Sequence, residues 1–376
     1  MDFSHFDGDI PIIDAHVHFS HPRWMDDIIS LMQSIPLGCV NLVSTPHPRF
    51  VNFNPALIYA KARYPDRFYL CGGLDYTQAL ADRDRMSASL AAQIEMLKTA
   101  GFDGLKLIEG KPTARKHYNI SLDAPEYEGM WATLEALDFP IVWHVADPET
   151  FWDPDLVPSW ARDNDWFYGD GSFPAKEALY AEVDRVLERH PTLKVVLAHF
   201  YFLSADLERA SRFLDAHPTV CFDLTPGGEM YNNFTRHGKA TRAFFIRYQD
   251  RLIYGTDTNT WAIERNGIDE PLSYAWVVRT FLESDELFSP PDLIPHWLEP
   301  DLEGLQGIAL PRAVLVKIYS SNFKRLFGSA PAPLRRAAAT AELERLADAI
   351  DALGGDGGSP NLAREVIEML ESEGAS

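Results

Sequence analysis

Cysteine is scarce in this chain: three of 376 residues, at positions 39, 71 and 221. The number is odd, the spacings are wide and no CxxC pair occurs. That argues against a disulfide framework, a redox dithiol or a zinc knuckle. Each cysteine sits in an apolar run (LGCVNLV, FYLCGGL, TVCFDL), where a free thiol behaves as a small buried hydrophobe. The implied compartment is reducing. Positive charge is also short. Lys and Arg total 34 against 55 Asp and Glu, a formal charge of −21. A surface this acidic repels phosphate backbones and anionic membranes, so neither nucleic acid nor a membrane is expected as a partner. The N-terminal stretch MDFSHFDGDIPIIDAHVHF lacks the basic-then-apolar pattern of a secretory signal. The most apolar stretches, such as LKVVLAHFYFLSA, are too short and interrupted to span a bilayer. The expectation is a cytoplasmic protein that acts on a small molecule. With 46% hydrophobic and 24% charged residues the composition is ordinary for a globular chain, which excludes whole-chain disorder.

Eight short apolar runs alternate with longer amphipathic stretches, the pattern of a parallel sheet with crossover helices. The runs cover 10–18, 38–44, 67–75, 102–109, 139–145, 194–200, 219–225 and 251–257. Several are near-continuously apolar, as strands buried on both faces should be. Eight such units predict a (β/α)₈ TIM barrel over 1–328, followed by a C-terminal helical appendage over 329–376. Gly101 is placed to end the helix after the third strand, and Ser204 to cap the helix after the sixth. GGDGGSP (354–360) reads as a flexible break between two terminal helices.

The first run ends in D-x-H-x-H: Asp14, His16 and His18. Strand alternation puts these three side chains on one face, with the two imidazoles about 6.6–7 Å apart along the chain, near enough to share one ion. Two satisfied polar histidines at a strand end would give the same pattern. The later runs shift that balance. His144 ends PIVWH, His199 ends KVVLAH and Asp257 ends LIYGTD. In a (β/α)₈ barrel the carboxyl ends of all strands meet at one face, where active sites sit. Three histidines and a carboxylate suit Zn²⁺, with Mn²⁺ as the alternative, and leave a position for water or substrate.

The ordered set DAHVHF, PIVWH, KVVLAH, LIYGTD and ALPRAVLVKIYSSNFKRLFG resembles the amidohydrolase superfamily. It is most similar to the amidohydrolase-related branch that includes aminocarboxymuconate semialdehyde decarboxylase. The resemblance spans most of residues 10–328. It implies His16, His18, His144 and Asp257 as metal ligands, Asp257 also as a proton shuttle, and His199 as the acid/base beside the ion. Where relatives often place small residues after the sixth-strand histidine, this chain has Phe200-Tyr201-Phe202.

Lys106, in GLKLIE of the fourth run, is either a cation facing the substrate or a carboxylated bridge between two metals. The basic segment 110–120, GKPTARKHYNI, reads as a loop in which Arg115 is suited to a substrate carboxylate. Residues 146–173 follow the His144 strand and are too long for a simple connector. Their aromatics, Trp152, Trp166 and Tyr168 among them, either wall the pocket or form a contact in a homo-oligomer. The expected function is metal-dependent hydrolysis of a small cyclic ester, amide or related carbonyl compound through a metal-activated water. The alternative is non-oxidative decarboxylation of an aromatic or unsaturated acid at the same site, and a barrel that binds metal without catalysis is the third class.

Overall fold

The computed structural model describes residues 1–49, 51–354 and 361–374. Most of the GGDGGSP segment therefore lies outside the described residues. Eight parallel strands form one sheet in sequential order: β1 (Ile12–His18), β2 (Leu37–Val43), β3 (Phe68–Gly72), β4 (Gly104–Gly110), β5 (Ile141–Val145), β6 (Val195–Leu197), β7 (Val220–Asp223) and β8 (Leu252–Ile253). Backbone bonds from Ala15 to Tyr254 and from His18 to Thr258 join the last strand to the first. The sheet thus comes round into a (β/α)₈ barrel.

The main return helices are α1 (Met25–Ser34), α2 (Asn54–Arg63), α3 (Arg83–Ala100), α4 (Pro125–Ala136), α5 (Lys176–Arg189), α6 (Leu207–Ala216) and α7 (Lys239–Arg247). Their apolar faces and the outer faces of the strands share one buried cluster. A second cluster fills the barrel floor, where Ile13, Val142, Val196 and Ile253 meet Phe323 and Phe327. That floor is filled by apolar side chains, so chemistry is left to the opposite rim. Gly101 ends α3 at φ +100, and a Cβ there would fall 2.4 Å from the Pro333 carbonyl oxygen. Only glycine fits. The cap of α6 is Asp206, whose side chain accepts the Arg209 N–H at 2.8 Å, rather than Ser204. The terminal helices Arg336–Leu353 and Leu362–Gly374 pack on α3 and α2. Among the described residues no helix is long and apolar enough to cross a membrane.

Two sequence expectations fail at the rim. Segment 110–120 is a helix over Pro112–Tyr118, not a loop: Pro112 opens it and Asn119 closes it at φ +51. The strand ends are also shorter than the apolar runs. β6 stops at Leu197 and β8 at Ile253, so His199 and Asp257 stand on turns beyond their strands.

Candidate metal centre

His16 and His18 come from the end of β1, where the register against β2 shifts between Asp14 and Val17. That shift breaks simple alternation and separates Asp14 from the histidines. The Asp14 carboxylate turns to Thr256, accepting its hydroxyl at 2.6 Å, and burial pushes its pKa up to about 7. It joins β1 to the segment after β8 and is not part of the ligand group. His16 and His18 instead face Asp257. One ligand atom from each of these three lies within 4.8 Å of the others. His18 Nε2 is 3.2 Å and His16 Nε2 3.5 Å from Asp257 Oδ1. Asp257 reaches this place on a backbone at φ +58, with its N–H held by the His16 carbonyl. Burial raises the Asp257 pKa, but the His18 hydrogen bond and the charges of His16, His18 and His199 outweigh it. The carboxyl is held well below its ordinary range.

The tautomer of His16 is fixed from behind. Its Nδ1 lies 3.0 Å from Asp223 Oδ2, at the end of β7. A carboxylate only accepts, so Nδ1 carries the proton and Nε2 offers its lone pair. A carboxylate behind a histidine in this way also strengthens it as a metal ligand. Burial, with the Lys106 charge, lowers the His16 pKa to about 4. Two imidazoles and a carboxylate are a donor set that fits Zn²⁺ or Mn²⁺.

Lys106 is buried inside the barrel, and its Nζ donates to His16 Nε2 at 2.8 Å. Burial brings its pKa down to about 8. This hydrogen bond uses the same lone pair an ion would use, so the two exclude one another.

His199 lies in a turn of four consecutive left-handed residues, His199 to Phe202, with φ between +49 and +56. Such a backbone costs on the order of 1–2 kcal/mol per residue. Asp223 Oδ1 accepts the His199 N–H at 2.8 Å, and the Tyr180 hydroxyl donates to the Tyr201 carbonyl at 2.9 Å. Phe200 is wedged among Phe222, Phe234 and Phe244. The aromatic run that departs from the family pattern therefore anchors the strained turn. His199 Nδ1 faces two backbone carbonyls, Thr225 at 3.3 Å and Pro226 at 3.2 Å, so it is the donor nitrogen and Nε2 is the acceptor. The His199 ring is 5.7 Å from His16 and 4.8 Å from His144.

His144 is the penultimate residue of β5 but does not join the three-residue group. Its Nε2 faces the Ala146 carbonyl at 3.0 Å and Asp147 Oδ1 at 3.2 Å. Arg115 is spent elsewhere: its guanidinium donates to both oxygens of Glu182 at 3.1 and 3.2 Å and to Ser121. The helical conformation of 112–118 aims it at Glu182 on α5, so the structure does not bring Arg115 together with His16, His18 and Asp257. Tyr168 donates to Asp147 at 2.7 Å, Trp166 lies 4.4 Å under the Lys111 ammonium, and Trp152 packs edge-on against Tyr168. The long loop is thus an ordered aromatic cluster tied to the residues after His144. Trp152 spends its N–H on the Pro174 carbonyl at 3.0 Å and stands behind Tyr168.

A family model described as Amidohydrolase matches residues 57–329. The chain belongs to the amidohydrolase family, whose members are metal-dependent enzymes. It is similar in fold to an uncharacterised TIM-barrel protein from Bordetella bronchiseptica (TM-score 0.51, 14% identity, covering 88% of this chain and 99% of that one). It is also similar to 2,6-dihydroxybenzoate decarboxylase complexed with 2,6-dihydroxybenzoate (0.49, 16%, 84% and 99%). A third likeness is to a dihydroxybenzoic acid decarboxylase from Polaromonas with bound manganese and an inhibitor (0.45, 15%, 84% and 96%). At these identities the likeness is one of fold. No curated protein matches.

Proposed function

We propose that the protein is a metal-dependent hydrolase that opens a small cyclic ester or amide. His16, His18 and Asp257 hold one divalent ion, Zn²⁺ or Mn²⁺, with His144 as the fourth ligand. When bound, the ion polarises the substrate carbonyl and acidifies water. The observation that carries the reading is the tautomer of His199. With Nδ1–H facing two carbonyls, Nε2 is the form of imidazole that takes a proton. His199 Nε2 removes a proton from water as the water oxygen bonds to the carbonyl carbon. The imidazolium then returns that proton to the leaving alkoxide or amine as the ring C–O or C–N bond breaks. Lys106 supplies an N–H donor to the oxygen that gains charge. Trp166 and Tyr168, backed by Trp152, form a wall that limits bulk water.

Lys106 favours a second reading, non-oxidative decarboxylation of an aromatic or unsaturated acid. A buried ammonium beside the ligand group can hold a substrate carboxylate, and its proton can pass to the carbon that CO₂ leaves. One experiment separates the two. The purified protein is offered cyclic esters and amides alongside aromatic acids, and acid release and CO₂ release are measured separately. Acid without CO₂ supports hydrolysis; CO₂ without net acid release supports the second reading.

A further inference from the structure

We infer that Asp147 is a positioning residue for His144, supplying the negative charge that fixes this ring as a ligand and clasping the aromatic loop to it. The inference rests on the reading of His144 as the fourth ligand. The chain reverses just after β5, at Ala146 with φ +64, and this turn brings Asp147 back beneath the ring three residues earlier. Asp147 is 3% exposed, and three donors meet its two oxygens. His144 Nε2 reaches Oδ1 at 3.2 Å, Lys111 Nζ reaches Oδ1 and Oδ2 at 3.0 and 2.9 Å, and the Tyr168 hydroxyl reaches Oδ2 at 2.7 Å. A carboxylate is not buried this deeply without such compensation.

The donors come from three places: the end of β5, the start of helix Pro112–Tyr118, and the far arm of the long loop. Asp147 is where they meet. For His144 the consequence is chemical. Nε2 holds the proton, because the Ala146 carbonyl and the Asp147 carboxylate can only accept. Nδ1 carries no hydrogen bond among the described residues and is the ring's free acceptor. A carboxylate behind a histidine raises its basicity toward an ion, and losing such a partner typically costs 10–100-fold in metal affinity or activity. The Ala146 carbonyl can preserve the tautomer but cannot supply charge, so charge is the part specific to Asp147. Tyr168 and Lys111 hold the carboxylate in place. The loop wall and the ligand are therefore one mechanical unit.

The test uses metal-free full-length protein titrated with Zn²⁺ and with Mn²⁺ by calorimetry, with the fold of each variant checked by circular dichroism. Asp147→Asn keeps an acceptor oxygen and removes the charge; it should weaken metal binding about 10–100-fold. Tyr168→Phe leaves the charge and loosens its hold, so it should weaken binding by less, in the same direction. A residue of merely structural importance would lower the melting temperature and leave the affinity of the folded protein unchanged. Asp147→Asn with affinity within twofold of wild type overturns the inference. His144→Ala is the control. If it loses affinity while Asp147→Asn does not, only the role of Asp147 fails. If neither loses affinity, the reading of His144 as a ligand fails with it.

Discussion

Lys106 Nζ donates to His16 Nε2 at 2.8 Å, across the centre of the barrel and on the lone pair that a metal ion needs. A buried cation and a metal ion therefore compete for one nitrogen. Lys106→Met should tighten divalent-metal binding by about tenfold or more, the worth of one charge-assisted hydrogen bond. The same change should cut turnover, because the donor for the charged oxygen is gone. Calorimetric titration beside steady-state kinetics reads both. Unchanged affinity would mean that the lysine turns aside at no cost. Two ions per chain in the wild type would instead mark Lys106 as a carboxylated bridge.

His199 is expected to be dispensable for metal binding and needed for turnover. His199→Ala should retain the ion and lose about 10²–10⁴-fold in kcat, the range for a general acid/base. Metal analysis and kinetics on one preparation check this; loss of the ion would make His199 a ligand.

Gly227 is the floor on which His199 rests. A Cβ at position 227 would lie 2.7 Å from His199 Cβ and 3.1 Å from the Phe202 ring. Gly227→Ala should therefore push the His199 turn aside and lower kcat, with metal content unchanged. Wild-type kcat would show that the left-handed turn tolerates displacement.

Glu109 gives a pH dependence of stability. Its side chain accepts the Tyr76 hydroxyl, and burial raises its pKa to about 7. A carboxyl with a raised pKa in the folded state favours folding while it is protonated. That contribution is full below about pH 4.5 and is lost as the pH rises towards 7. The Glu109→Gln variant should lose less stability than the wild type between these pH values, by up to about 3 kcal/mol. Denaturant melts at pH 4.5 and 7.5 measure the difference; parallel losses would contradict it.

The barrel was legible because its strands are apolar runs separated by helices of ordinary length. The grouping of His16, His18 and Asp257 was legible because ionisable residues close two of those runs, 10–18 and 251–257. Less of the surrounding support could be read. Strand alternation put Asp14 with the histidines, and the register shift between Asp14 and Val17 undid that. Arg115 looked like a substrate contact because its partner, Glu182, is 67 residues away and carries no local signal. Asp223 ends the seventh strand, but its bonds to His16 and to the His199 N–H depend on closure of the barrel and carry no local signal. Asp147 did carry a local signal, a carboxylate three residues after a strand-ending histidine. The backbone reversal at Ala146 that makes use of it is not written in residue type, because alanine has no preference for positive φ.

The most direct test of the account is the metal content of the purified protein and of the His16→Ala/His18→Ala double variant after dialysis. The account predicts about one divalent ion per chain in the first and none in the second, with the fold retained. Equal content in the two proteins would contradict it.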